Sequence, residues 1–386
     1  MQNILSDYNI SMLPALYGLL GTAGLEESGI LYFHRSPYLN LRGSGVMIGV
    51  IDTGIDYRHQ AFTYEDRTTK IYSIWDQTIR DGESPEGFIY GTEYTSEQIN
   101  RALAAENSLA VVPSQDENGH GSMVYRTLAQ TDTEFYIVKV LNESNQGNSL
   151  TLCEALKWLL NIEVKLIVIC ISTNNLEMGQ EYEKLINKLS IQGKILFASW
   201  TNNGRDTLSY PAILKNVISV GRKKMDSKFI ECDWKNNIQC LINIDISYIW
   251  IPEKGFRSFG GNSQATADLV AMVCKRIGYV RDIKEMRKRI DELDYNYYRI
   301  YRDYECETDQ RLLSIIEKYS KTFTAESAMW EIFPTIEELS DFLEEICTIF
   351  EINKYTVIFK RSMFVSIKKF SNTINIIKNG EKKYEN

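Results

Sequence analysis

Apolar runs of strand length alternate with amphipathic stretches from residue 46 to about residue 293. The unbroken run Val46–Ile51 reads as a buried strand. Phe135–Leu141, Val164–Ser172, Ile195–Ser199 and Leu214–Val220 read the same way, the last following Tyr210-Pro211. Between them Leu152–Leu160 and Glu181–Leu189 are spaced as helices. A helix beginning at His120 would carry Met123, Val124 and Leu128 inward. Helices from Ser263 to about Ile277 and over Ile283–Leu293 complete the series. Alternation of this kind needs crossover connections, so it predicts an α/β fold with a mainly parallel sheet flanked by helices.

Three stretches stand outside the alternation. Residues 1–44 are a lead-in ending in the turn Leu41-Arg-Gly-Ser-Gly45. Residues 60–117 are mostly polar, with Trp75, Pro85 and Gly-containing turns, and read as a surface insertion. Beyond about residue 300 the character changes: Tyr297, Tyr298, Tyr301 and Tyr304 crowd one stretch, and charged helices are predicted over Asp309–Tyr319 and Ile336–Phe350. Strand-like runs at Tyr355–Phe359 and Met363–Ile367 precede a Lys-rich tail. The expected organisation is a lead-in over 1–44, a main domain over 45–300 and a small α/β appendage over 301–386. No internal repeat or low-complexity segment interrupts it.

The totals narrow the class of protein. The 386 residues suffice for a large core, and 44% apolar with 24% charged residues is ordinary for a soluble globular chain. A formal charge of −8 argues against nucleic acid and anionic membrane as partners. Seven cysteines, an odd number without a CxxC pair, read as buried free thiols in a reducing compartment. With three histidines and none near a cysteine pair, no metal cluster is expected, and no feature of the chain implies a cofactor. No basic residue precedes Arg35, and the apolar stretch Ile10–Leu25 is broken by Pro14 and three glycines. Neither a secretory signal nor a membrane span is expected, which makes the cytoplasm the default location.

Three motifs carry chemistry. Asp52 ends the first buried strand in Asp52-Thr-Gly, where sites form in open α/β sheets. His120 lies in Asn118-Gly-His120-Gly-Ser-Met, and glycines on both sides let backbone and substrate approach closely. His34 and His59 lack that frame and read as surface residues. Ser263 opens a helix after Ser258-Phe-Gly-Gly261, where Oγ stands at a positive helix end. A serine there could be only a helix cap. Together the three supply a nucleophile, a base and a carboxylate to hold the base in one tautomer. Asp-Thr-Gly is also an aspartic-peptidase motif; a monomeric one needs a second copy, which this chain lacks, and against a homodimeric one, which does not, stand the matched His and Ser motifs.

The order Asp52, His120, Ser263 is the subtilisin order, and the chain resembles a subtilase over roughly residues 12–295. The resemblance implies a subtilisin-like three-layer fold and a serine endopeptidase that hydrolyses peptide bonds. Asn202, in Phe197-Ala-Ser-Trp-Thr-Asn202-Asn-Gly204, matches the residue that donates to the oxyanion. An Asn-Asn-Gly sequence otherwise marks a turn. The resemblance also implies that a protein or peptide substrate adds as an extended strand between Gln146-Gly147-Asn148-Ser149-Leu150 and Ser172-Thr173-Asn174-Asn175. Leu16-Tyr-Gly-Leu-Leu20, Leu25-Glu-Glu-Ser-Gly-Ile30 and Ile74-Trp-Asp-Gln-Thr-Ile79 resemble the clostridial Csp-type branch, as do Glu86–Glu93 and Glu97–Asn100.

The departures from the family pattern matter as much. Gly-Thr-Ser-Met-Ala-x-Pro appears as Gly261-Asn-Ser-Gln-Ala-Thr-Ala267, and Gln264 replaces an oxidisable methionine. Tyr125-Arg126 stands where a pair of small residues usually follows the histidine motif. The short connection Leu128–Glu134 lacks the usual calcium loop, and no propeptide of usual size precedes Gly45. Intracellular members of the family use a short extension over the cleft instead, and Ser11-Met-Leu-Pro-Ala-Leu16 is the candidate for one here. The intact triad letters imply an enzyme, and the intracellular signature implies limited processing of a specific partner rather than digestion. The altered flanks imply the alternative, an impaired subtilase-fold protein that binds or regulates. A leader peptidase using residues 301–386 for recognition is a third reading. Oligomeric state is not encoded in any of these features.

Overall fold

The computed structural model describes residues 46–129, 133–173, 179–202, 208–223, 230–293 and 308–382. Ser11–Leu16, the branch-like segments between Leu16 and Ile30, His34, Asn174 with Asn175, and Tyr297–Tyr304 lie outside them. The described chain falls into two compact units, one from 46–244 and 261–293, the other from 245–260 and 308–382.

The larger unit is built on a nine-stranded sheet. Its strands are β1 (Met47–Asp52), β2 (Ile71–Asp76), β3 (Thr92–Thr95), β4 (Glu134–Lys139), β5 (Leu166–Ile169), β6 (Ile195–Ser199), β7 (Val217–Lys223), β8 (Ile230–Cys232) and β9 (Cys240–Asn243). The spatial order is β3-β2-β4-β1-β5-β6-β7-β9-β8. The run from β2 to β9 is parallel, and β3 and β8 close its edges antiparallel. Val50, Ile51, Ile167, Val168, Leu196 and Phe197 are all fully buried. Such unbroken apolar strands are what a parallel sheet covered on both faces requires.

The helices of this unit are α1 (Ser96–Ala104), α2 (Ser108–Val111), α3 (His120–Leu128), α4 (Ser149–Asn161), α5 (Gly179–Ile191), α6 (Gly261–Arg276) and α7 (Ile283–Asp291). Helix α6 packs on β5, β6, β7 and β9 as well as on α3. Its residues Asn262 to Cys274 are buried without interruption, which explains its weak amphipathic signature. No helix among the described residues is long and apolar enough to cross a membrane.

Three expectations change here. Residues 60–117 are not a surface loop: they supply β2 and β3, and β2 sits inside the sheet with Trp75 fully buried. The polar letters that suggested a surface are themselves buried and bonded, Ser73 to Glu93 at 2.6 Å and Asp76 to Ser114 at 2.7 Å. His59 is not a surface residue either. It is buried, its Nδ1 accepts from the Ala61 amide at 3.0 Å to cap the 3-10 turn Gln60–Phe62, and its ring packs on Phe62. The strand expected at Leu214 begins at Val217, because turns at Pro211–Leu214 and Leu214–Val217 precede it.

The smaller unit has an antiparallel sheet of order β11-β10-β12, made of β10 (Ser247–Ile251), β11 (Gly255–Phe259) and β12 (Ile358–Lys360). Around it lie α8 (Gln310–Ile316), α9 (Met329–Ile332), α10 (Ile336–Ile349) and α11 (Ile367–Lys382). Phe342, Phe359, Phe364 and Phe370 pack ring on ring as its core. Of the two strand-like runs expected here, Tyr355–Phe359 contributes only Ile358 and Phe359, since Asn353 organises a turn over Tyr355 and Thr356. Met363–Ile367 is not a strand: a 3-10 turn at Arg361–Phe364 leads into α11.

Candidate active site

Asp52 ends β1 at the carboxyl edge of the sheet, wholly buried. Its Oδ1 accepts from the Thr53 amide at 2.7 Å and stands 2.7 Å from His120 Nδ1. His120 opens α3 behind Gly119, which adopts a left-handed conformation (φ 88°) that a side chain would strain. On its other flank the requirement is space. A Cβ on Gly121 would lie 2.1 Å from the Gly54 carbonyl oxygen, so only glycine lets the two motifs meet.

A buried carboxylate knits those motifs together. Asp116 Oδ1 accepts from Thr53 Oγ1 and the Gly119 amide, and Oδ2 accepts from the Ser122 amide and hydroxyl, all at 2.8 Å. Thr53 Oγ1 in turn accepts from the Gly121 amide at 2.9 Å, and Ser122 Oγ accepts from the Asp56 amide at 2.8 Å. Burial pushes the Asp116 carboxyl up from its ordinary range, opposed by the hydrogen bonds from Ser122, Gly119 and Thr53. The segment leading to His120 is anchored further upstream. Ser114 donates to Asp76, while Lys139 Nζ donates to the Gln115 carbonyl at 2.7 Å and to Glu117 at 2.6 Å. Thus β2 and β4 both fix the loop that presents the imidazole.

His120 feels opposing influences. Desolvation pulls its pKa down, the charge and hydrogen bond of Asp52 and the charge of Asp116 pull it up, and the net shift is upward from 6.5.

Ser263 lies in the first turn of α6, and Gly261 (φ 73°) starts that helix. The Ser263 hydroxyl points to the end of β5, where Oγ donates to the Cys170 carbonyl at a long 3.5 Å. The structure therefore brings Asp52 and His120 into contact and leaves the serine hydroxyl on Cys170. Asn202 borders the same helix start: its Oδ1 accepts from the Asn262 amide at 3.3 Å. Asn262, counted above as a departure from the family pattern, is fully used. Its Nδ2 donates to the Trp200 and Thr201 carbonyls at 2.9 and 3.0 Å, and its Oδ1 accepts from the Arg222 amide at 2.8 Å. Tyr125, another departure, is buried against Phe62 and Phe135, with its hydroxyl 3.2 Å from the Val50 carbonyl oxygen. Its neighbour Arg126 is buried too, and desolvation lowers its pKa to about 10.

The segments expected to hold substrate have structural duties of their own. Gly147 makes a tight turn where a Cβ would sit 2.7 Å from the Val140 carbonyl oxygen. Asn148 caps α4 by accepting from the Leu150 and Thr151 amides, and Ser149 offers its carbonyl to Tyr182 Oη. Ser172 is exposed, and Thr173 exchanges backbone hydrogen bonds with Tyr210 at 3.0 and 2.8 Å. Asn174 lies outside the described residues. Among the described residues no group of three or more His, Cys, Asp or Glu side chains could hold a metal. Asp116 and Lys139 were not singled out from sequence. Only Asp116 left a signal there, a carboxylate four residues before a glycine-framed histidine.

Residues 43–275 match the family model described as the subtilase family. The chain is 28% identical over 241 residues to subtilisin Savinase of Lederbergia lenta, covering 58% of this chain and 74% of that protein. It is 28% identical over 241 residues to an alkaline protease of Alkalihalobacillus alcalophilus, covering 58% and 52%. An intracellular serine protease of Paenibacillus polymyxa is 26% identical over 242 residues, covering 58% and 64%. The chain thus spans between about half and three quarters of the length of these relatives. Among solved structures, the CspB protease of Clostridium perfringens is similar with a TM-score of 0.48 at 15% identity, covering 75% of this chain and 90% of that one. A lanthipeptide protease is similar with a TM-score of 0.48 at 14% identity, covering 84% and 92%.

Proposed function

The chain belongs to the subtilase family, and from that premise we propose that it is a serine endopeptidase working through Asp52, His120 and Ser263. The observation that carries the reading is the 2.7 Å contact between His120 Nδ1 and a wholly buried Asp52. It commits the Nδ1 proton to the carboxylate and leaves Nε2 as the base.

In this reading Ser263 gives up its weak bond to Cys170, rotates about Cα–Cβ and passes its proton to His120 Nε2 as it attacks the scissile carbonyl. The oxyanion is held by Asn202 Nδ2 and the Ser263 amide at the start of α6. Burial of Asp52 strengthens its hold on the imidazolium that forms. His120 then returns the proton to the leaving amine, and water repeats the sequence to free the acyl group. The extended substrate lies between residues 146–150 and 172–175.

The work proposed is limited processing of a particular protein or peptide partner in the cytoplasm. Six described cysteines, all free thiols, and the likeness to an intracellular serine protease support that setting. Labelling with a fluorophosphonate probe tests the reading. Labelling of the purified chain that is lost in both Ser263→Ala and His120→Ala is the expected result. Absence of labelling in the unaltered chain would overturn it and leave a subtilase-fold binding protein.

A further inference from the structure

The smaller unit holds a cleft of about 370 Å³ that nothing above employs. Four aromatic side chains line it among aliphatic and small residues: Tyr248 of β10, Phe333 after α9, Phe364 of the 3-10 turn, and Trp330 at 46% exposure. Two observations distinguish it from a plain apolar hollow.

The first is strand register. In the β10–β11 ladder Trp250 faces Phe256 and Tyr248 faces Ser258. The Phe256 amide points away from β10, because it donates to Ser340 Oγ on α10 at 2.8 Å. Amides two residues apart on a strand point the same way, so the Ser258 N–H and C=O also face away from β10. At Phe256 that outer edge is covered by α10. At Ser258 it borders the cleft. The second observation is charge. Arg361 lines the cleft and is exposed, and its guanidinium makes no ion pair or hydrogen bond among the described residues. It is a permanent positive charge beside aromatic side chains.

We propose that this cleft binds an extended, acidic segment of a protein partner. The backbone of that segment pairs with the β11 edge at Ser258. One large apolar side chain enters between Tyr248, Phe333 and Phe364, and a flanking carboxylate pairs with Arg361. Edge pairing supplies the extended conformation, the aromatic walls supply affinity and Arg361 selects for negative charge. The proposal does not depend on whether Ser263 is reactive.

The test is fluorescence polarisation with the full chain carrying Ser263→Ala, so that no probe is cleaved. The probe is a fluorescein-labelled ten-residue peptide in a glycine–serine frame, with one phenylalanine followed by two aspartates. Its control has asparagines in place of the aspartates. The acidic peptide is expected to bind about fivefold tighter than its control, as one partly exposed ion pair allows. Adding Arg361→Gln should abolish that preference while leaving the control unchanged. Adding Trp330→Ala, at an exposed position, should weaken both peptides about thirtyfold, the effect of removing an aromatic anchor. No saturable binding of the acidic peptide, or a charge preference that survives Arg361→Gln, would overturn the proposal.

Discussion

His120 Nδ1 and Asp52 Oδ1 are 2.7 Å apart, with the carboxylate at 0% and the imidazole at 28% side-chain exposure. The contact is asymmetric in a useful way. The buried partner cannot exchange its bond for water, while the open one still reaches solvent or substrate. Asp52→Asn keeps the shape but offers the ring the wrong donor pattern. We expect its turnover to fall by about 10⁴ with the fold intact, since the imidazole is then held in the wrong tautomer. Steady-state kinetics beside a thermal melt check this. A loss of less than tenfold would remove Asp52 from the mechanism.

The pH profile follows from the charges around the same ring. Burial lowers the His120 pKa, Asp52 and Asp116 raise it, and the net direction is up from 6.5. The base must be neutral to accept a proton. Activity is therefore absent well below the shifted pKa and rises as pH climbs through it. The acid limb of kcat/KM should have its midpoint above 6.5. A midpoint at or below that value would contradict the assignment of His120 as base.

Asp116 should act on that limb without touching substrate. It accepts four hydrogen bonds, two of them from the Gly119 and Ser122 amides on either side of His120. Asp116→Asn removes the charge and sets an amide group against donors. We expect kcat to fall by about ten- to a hundredfold, the cost of roughly 1–3 kcal/mol for a stranded buried donor expressed at the base. KM should hold and the acid limb should move to lower pH. A purely structural role would lower stability and leave the limb where it is.

These residues mark how far the sequence could be read. The three letters of the proposed triad were legible as candidates because each sits near an element boundary that the hydrophobic pattern places: Asp52 ends a strand, His120 begins a helix and Ser263 lies in the first turn of another. Their support was not. Lys139 is the polar end of an apolar strand, and its ties reach back more than twenty residues to Gln115 and Glu117, at the end of a stretch that looks like surface. Buried polar groups such as Asp76 and Ser73 lowered the apparent burial of residues 60–117, which concealed β2. The pairing of β10 with β12 joins segments over a hundred residues apart, and no local period reports such a contact. Met363–Ile367 misled for the opposite reason, since short apolar runs suit helix and strand alike.

Gly121 offers a purely steric prediction. A methyl group there would stand 2.1 Å from the Gly54 carbonyl oxygen and 3.1 Å from Thr53 Oγ1. Backbone cannot give way as a flexible side chain would, so the Asp and His motifs must part. We expect Gly121→Ala to lower stability by about 1–3 kcal/mol, as overpacking does, and to abolish activity. A variant with unaltered melting temperature and turnover would show that the motifs do not meet as closely as this.

Asn202 and Asn262 separate chemistry from architecture at the start of α6. The two are linked by one bond, from the Asn262 amide to Asn202 Oδ1, which fixes the Asn202 side chain with Nδ2 left to donate elsewhere. Asn262 spends its whole side chain on the Trp200 and Thr201 carbonyls and the Arg222 amide. If Asn202 holds the oxyanion, Asn202→Ala should lower kcat by about 10²–10³ with little change in KM or melting temperature. Asn262→Ala removes three hydrogen bonds to backbone groups instead, at about 1 kcal/mol for each. It should therefore lower melting temperature and turnover together. Measuring both properties on both variants distinguishes the roles. Equal losses of stability would make Asn202 another strut, and the oxyanion would then rest on the Ser263 amide alone.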